Sequence, residues 1–312
     1  MLELRNVTKR YGDVTALDGV SLSVEAGETL GLVGTNGAGK TSLFRLLVGH
    51  ELPDSGTVSV AGIDPTDGTR VRERVGYLPE QANFEPSLTA REVLRFHARM
   101  RGVSDADRPR RIARVLETVG LREDADRRVG GFSNGMTRRL GLATTLLASP
   151  QVLLLDEPTA GLDPQGVAAF NDVIERVRAE TDVTVVVTTH VLSEVERLCD
   201  RVAIIDGGEI QTVGTLAEVR AIAGDRVTVT LTFDADADAA AVGSQFETDP
   251  SVTTTVHGSR VEATCHRDAV FDVLGRLADT DPATVEVSEP GLEGAFQRVL
   301  HEGTAEMAGD AT

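Results

Sequence analysis

Short apolar runs and helical spacings mark out the elements of this chain. Thr29-Leu30-Gly31-Leu32-Val33 reads as a short buried strand. Leu43, Phe44, Leu46 and Leu47 then fall on one face of a helix. Val152-Leu153-Leu154-Leu155 is apolar throughout, as in a parallel sheet covered on both faces. Val183 to Thr189 is a β-branched strand and the expected neighbour of that run. From about Glu85 to Arg128 the pattern predicts a helical insertion. Thr89-Ala90-Arg91-Glu92 has the form of a capping box, and Val93, Phe96, His97 and Met100 follow at helical spacing. Ser104 opens a second segment, with Ile112, Val115, Leu116 and Val119 on one side. After Gly224 the period changes to strand alternation at Val227–Leu231, Val252–Val256 and Val261–Thr264. Ala269 to Leu277 reads as helix and Val285 to Val287 as a last strand, which predicts a small α+β domain with one sheet. Residues 301–312 are small and polar and are expected to fray.

The 312-residue length suggests two domains, set at 1–220 and 225–300. No apolar run approaches the length of a membrane span, and Met1-Leu2-Glu3-Leu4-Arg5 is no signal peptide, so a chain kept in the cytoplasm is expected. Cys199 and Cys265 lack metal-type spacing and are read as reduced thiols. Charge changes the picture more. Acids number 49 against 31 Lys and Arg, a net charge of −18, and Lys9 and Lys40 are the sole lysines. From Asp225 onward, 17 acids against 5 Arg contribute −12 of it, a composition shift that marks the second domain. Such acidity argues against nucleic acid as a partner and matches the solvated surface of salt-adapted proteins.

The chemistry begins at Gly34-Thr35-Asn36-Gly37-Ala38-Gly39-Lys40-Thr41-Ser42, a glycine-rich phosphate loop between the first strand and its helix. Glycines let the backbone turn its N–H groups inward, and the new helix adds a positive end. Lys40 would reach the β- and γ-phosphates and Thr41 would place its hydroxyl on Mg²⁺. Asp156 and Glu157 end the second strand, where open α/β sheets hold ligands; Asp156 suits Mg²⁺ and Glu157 suits polarising a water. Ser133 is a helix N-cap in Phe132-Ser133-Asn134-Gly135-Met136, a further anion seat. His190 ends the third strand, within plausible reach of a γ-phosphate or its water.

The order and spacing of these motifs resemble the nucleotide-binding subunit of an ATP-binding cassette (ABC) transporter over about residues 1–220. The resemblance implies an α/β phosphate-loop cassette with a helical subdomain, followed by the small α+β domain. It implies ATP and Mg²⁺ as cofactors and an ATPase activity coupled to transport. Lys9-Arg10-Tyr11-Gly12 is similar to the family's adenine-stacking loop, with Tyr11 as the aromatic. Gly34–Thr41 matches the Walker A loop, Leu153–Glu157 the Walker B strand and Phe132–Met136 the signature, whose Ser133 and Gly135 carry the phosphate contact. Ala160-Gly161-Leu162-Asp163 resembles the D-loop and His190 the switch histidine. Two departures stand out. The signature usually reads Leu-Ser-Gly-Gly-Gln, and the Q-loop glutamine, a metal contact, falls at Glu80 in Tyr77-Leu78-Pro79-Glu80-Gln81; either Glu80 or a shifted Gln81 takes that role, Glu80 first.

By the same resemblance each chain holds half of a composite site. The expected partners are a second copy or a paralogue and separate integral-membrane permease subunits, docked near Phe84 and Leu88 at the cytoplasmic face of the membrane. The runs Tyr77–Glu92 and His190-Val191-Leu192 are similar to the group serving maturation of nitrous oxide reductase, among exporter-type subunits. A GTPase is excluded by the lack of an Asn-Lys-x-Asp motif, since Lys9 follows Thr8 and Lys40 follows Gly39. An ATP-gated regulatory or binding module is the alternative reading.

Overall fold

The computed structural model describes residues 1–222, 224, 226–246, 249, 251–277, 280–288 and 291–309. The chain forms two compact units, Met1–Thr215 and Leu216–Thr312. The first runs β1 (Leu2–Tyr11), β2 (Val14–Val24), β3 (Thr29–Val33), α1 (Lys40–Leu47), β4 (Ser55–Val60), α2 (Gly68–Arg74), β5 (Val75–Leu78), α3 (Ala90–Met100), α4 (Arg108–Thr118), α5 (Asn134–Leu146), β6 (Val152–Asp156), α6 (Pro164–Glu180), β7 (Thr184–Thr189), α7 (Leu192–Leu198), β8 (Arg201–Asp206) and β9 (Glu209–Thr215). Its main sheet has the order β5-β6-β7-β3-β8-β9. All neighbours pair in parallel except β9, which returns antiparallel to β8.

Register decides what this sheet can do. Val33 stands opposite Thr189, and Asp156 opposite Thr188. The strands β3, β6 and β7 therefore finish level, and the loops that follow them emerge at one edge, the carboxyl edge where open α/β sheets hold ligands. Every residue of β3, β6 and β7 is buried, as their apolar and β-branched composition favours. A second sheet, β2-β1-β4, is antiparallel, and Leu2 and Leu4 alternate with exposed Glu3 and Arg5 along it. Leu43, Phe44, Leu46 and Leu47 of α1 are buried in one core with residues of both sheets. That packing fixes the helix whose first turn carries Lys40.

Helices α3, α4 and α5 pack on one another. Thr89 caps α3 through both halves of the capping box: its hydroxyl accepts from Glu92 N–H (3.2 Å) and the Glu92 carboxylate accepts from Thr89 N–H (2.8 Å). Helix α4 starts at Arg108, later than the Ser104 start expected, with Pro109 in the first turn where its missing N–H is harmless. Ser104 instead donates its hydroxyl to Asp107.

The second unit comprises α8 (Leu216–Ile222), β10 (Arg226–Thr232), α9 (Asp236–Ser244), β11 (Val252–His257), β12 (Arg260–His266), α10 (Val270–Arg276), β13 (Thr284–Ser288) and α11 (Leu292–Gly309). The antiparallel order β11-β12-β10-β13 closes a β-α-β-β-α-β unit of ferredoxin-like topology. Val227, Val229 and Leu231 of β10 share a core with Ala239, Val242, Val261, Ala263, Cys265 and Val273. Strand β13 lies at the sheet edge with all five residues exposed. The division falls at 215/216, where 220/225 was expected, with α8 packed against α11. Residues 301–309 belong to α11; residues 310–312 lie outside the described residues.

Replacing Thr89 by Ala removes the α3 cap and should lower stability by about 1 kcal/mol. Urea unfolding of the variant against the parent chain checks this.

Candidate nucleotide site

The loop from Gly34 to Gly39 leaves β3 and turns directly into α1. Its glycines are structural requirements. A Cβ on Gly34 would sit 2.3 Å from the Ile205 carbonyl oxygen. Gly39 has φ +107°, and a Cβ there would lie 2.5 Å from the Ala16 carbonyl. The Thr35 hydroxyl donates to Asp206 at the end of β8 (3.0 Å). Lys40, buried at 7 % exposure, folds back over the loop and donates to the carbonyls of Gly34 (2.8 Å) and Thr35 (3.0 Å). Asn36, Gly37, Ala38, Gly39, Lys40, Thr41 and Ser42 line a cavity of about 190 Å³.

The same cavity is lined by Glu80, Asp156 and Glu157. Residues far apart in sequence thus meet as the sheet register requires. Of Glu80 and Gln81, Glu80 lines this cavity. Asp156 is buried and its carboxylate accepts two hydroxyls, from Thr188 (2.8 Å) and from Tyr77 (3.2 Å). Burial, then the Asp156 charge, push the Tyr77 phenol up from its ordinary pKa, so it remains a donor. Glu157 takes a left-handed backbone (φ +42°), rare for a side chain of its size. Its N–H donates to both the carbonyl (3.1 Å) and the hydroxyl (3.0 Å) of Thr188, which holds that conformation. The Glu157 carboxylate lies 3.9 Å from Lys40 Nζ and 2.8 Å from His190 Nδ1. The histidine is mostly exposed and its carboxylate partner mostly buried.

Ser133, Gly135 and Asp163 lie elsewhere. They line a separate surface pocket of about 530 Å³ with Gly161, Leu162 and Gly166. Ser133 caps α5, its hydroxyl accepting from Met136 N–H (3.2 Å), and Asp163 caps α6 through Gly166 N–H (2.7 Å). Tyr11 is not among the residues lining the phosphate-loop cavity. It sits at the end of β1 with its hydroxyl on Glu51 and the Lys9 ammonium 5.6 Å from the ring centre. Phe84 and Leu88, expected to be exposed, are half-buried, and Phe84 packs edge-on against His97 (6.0 Å). The exposed apolar residues of that region are Phe96 and Met100 on α3. Met100, His50, Tyr77, His97 and Arg101 line a cleft of about 890 Å³.

Sequence reasoning missed Arg138. Its guanidinium is buried and donates to five backbone carbonyls: Pro158 (2.6 Å), Pro79, Glu80 (2.7 Å), Asp156 (2.7 Å) and Glu157 (2.9 Å). One side chain on α5 therefore staples the loop bearing Glu80 to the loop bearing Asp156 and Glu157. Burial lowers its pKa to about 10, against the raising pull of Asp156 and Glu80, and it stays charged at neutral pH. The signal was an arginine on the buried face of α5, alongside Gly141, Leu142 and Thr145.

The strand, glycine loop and helix, with two consecutive carboxylates at the end of β6, define a phosphate-loop nucleotide-binding protein. A family model described as ABC transporter matches residues 17–160. Across 307 residues the chain is 34 % identical to the linearmycin resistance ATP-binding protein LnrL of Bacillus subtilis, covering 95 % of this chain and 97 % of that protein. It is 44 % identical over 210 residues to the Nod factor export ATP-binding protein I of Burkholderia orbicola, covering 66 % and 68 %. Among solved structures it is similar to the dimeric ATP-binding cassette MJ0796 bound to ADP and Pi, at 26 % identity and a TM-score of 0.62, covering 69 % of this chain and 99 % of that one. The chain belongs to the ATP-binding proteins of ABC transporters; it is an export-type subunit that binds and hydrolyses ATP for transport. These relatives lend no support to the likeness to nitrous oxide reductase maturation, nor to salt adaptation.

Replacing Arg138 by Met leaves five carbonyls without their donor and should cost about 3 kcal/mol or more in urea unfolding. Arg138→Lys, with three donors in place of a planar fork, should keep the fold better yet lower turnover by about tenfold in a phosphate-release assay.

Proposed function

We propose that ATP is gripped between two polypeptides, a second copy or a paralogue supplying the face that one chain lacks. The observation that carries this reading is the division of the candidate residues between two pockets. Lys40, Thr41, Glu80, Asp156 and Glu157 line one, while Ser133, Gly135 and Asp163 line another. A site that needs both sets is complete only when two cassettes face each other, and the similar MJ0796 cassette is a dimer bound to ADP and Pi.

In this reading the loop N–H groups from Gly34 to Thr41, with Ser42, seat the phosphates and Lys40 meets the β- and γ-phosphates. Ser133 and Gly135 of the opposite chain, at the start of its α5, meet the γ-phosphate from the far side, with Asp163 beside them. Tyr11, exposed at the end of β1, offers its ring to the adenine. Thr41, Glu80 and Asp156 present hydroxyl and carboxylate oxygens on one cavity, a donor set that fits Mg²⁺. When bound, that ion neutralises charge on the β- and γ-phosphates. Glu157 orients a water in line with the γ-phosphorus and takes its proton as the oxygen attacks. His190, bonded to the same carboxylate, holds it in position. The β–γ bridging bond breaks, ADP and phosphate are released, and the two chains part.

The cleft lined by Met100 of α3, the helix on which Phe96 is also exposed, is the surface we assign to a membrane permease subunit. Among the described residues no helix is long and apolar enough to cross a membrane. The chain would then work at the cytoplasmic face, held there by the permease.

Glu157→Gln should bind ATP without cleaving it and shift the chain from monomer to dimer in light scattering when ATP is added. A monomer under those conditions, with its permease present as well as without it, refutes the shared site. Met100→Glu should lower co-purification with the permease by about tenfold, with ATP binding unchanged.

A further inference from the structure

Glu194 is a buried carboxylate that the catalytic reading leaves unused. It sits in the first turn of α7 at 5 % exposure. Among the described residues it has no ion-pair partner. Its Oε2 instead accepts two hydroxyls, from Thr159 (2.8 Å) and Thr189 (3.2 Å). Both threonines are themselves buried. Removing a carboxylate from water without a cation is costly, and such groups persist where their hydrogen bonds fix something.

What they fix is the pair of loops on either side. Thr159 lies between Glu157 and Asp163, and the turn it belongs to is closed by Ala160 N–H on the Glu157 carbonyl and Leu162 N–H on the Thr159 carbonyl. Thr189 ends β7, and its hydroxyl also accepts from Val191 N–H (3.0 Å). The same hydroxyl thus accepts from Val191 N–H and donates its proton to the Glu194 carboxylate. His190 stands at the apex of the turn that this bond closes, 2.8 Å from Glu157. One carboxylate oxygen thus ties the loop leading to the second pocket to the loop that presents the histidine.

We propose that Glu194 is a positioning residue that sets the His190–Glu157 contact by locking Thr159 and Thr189 together. This rests on the reading of Glu157 and His190 as the water-handling pair. The phosphate loop is not part of the lock, so its loss acts on the chemical step and spares nucleotide binding.

The full-length chain tests it through Glu194→Ala, Glu194→Gln and Thr159→Val, each assayed for kcat and KM with ATP. The imidazole signals of the six histidines are followed by NMR, with His190 assigned by its own substitution. Glu194→Ala should lower kcat about tenfold, leave KM within about twofold and move the His190 signal. Glu194→Gln, whose amide oxygen still accepts both hydroxyls, should stay within about threefold of the parent. Thr159→Val keeps the side-chain shape, removes one donor, and should lower kcat by about threefold, which decides the matter should Glu194→Ala not fold. Parental turnover in the Ala variant, an unmoved His190 signal, or equal loss in the Gln variant overturns the assignment. Glu157→Gln separates the two levels: full turnover there removes the reading of the pair, while the histidine signal still reports the lock.

Discussion

A planar cation buried under two acidic loops is the constraint on which the site depends. Arg138 spends all its bonds on backbone carbonyls and none on a carboxylate. Its positive charge therefore lies beneath Glu80, Asp156 and Glu157 without occupying their oxygens, which stay available to a ligand. The guanidinium's fixed fork suits five acceptors from two segments in a way that a flexible ammonium could not. Because the arginine belongs to α5, the helix capped by Ser133, any displacement of that helix pulls on both loops. The pocket lined by Ser133 and the cavity lined by Glu80, Asp156 and Glu157 are mechanically one piece.

Around that staple the polar atoms are placed by hydroxyls. Thr188 serves Asp156 with its side chain and Glu157 with its carbonyl and side chain together. Tyr77 adds a donor to Asp156, its ring set edge-on to those of Phe44 and His50. The left-handed backbone at Glu157 is tolerated because its N–H has two acceptors waiting. Strain and hydrogen bonding are thus concentrated at Glu157.

Much of this was readable from the chain. The phosphate loop, the β6 carboxylates and His190 were found because each lies at the end of an apolar run, and parallel strands bring such ends to one edge. The capping box at Thr89 was likewise legible as a local pattern. Arg138, Tyr77 and Glu194 were not, since their roles depend on partners 18 to 79 residues away. The pairing of β1 with β4, and helix α9 with its small alanine-rich face, gave equally little periodic signal. Tyr11 was placed by family likeness; its hydroxyl bonds Glu51.

The second unit carries a different kind of information. Among the described residues no strand pairs with the outer edge of β13, and its valines are about half exposed: 51 % at Val285 and 49 % at Val287. Such an edge invites another strand. Glu286 sits at its midpoint. If two copies paired antiparallel about that residue, their carboxylates would face each other across the new ladder, and like charges opposite one another are unfavourable. Glu286 at the centre of β13 therefore disfavours edge-to-edge pairing of two copies.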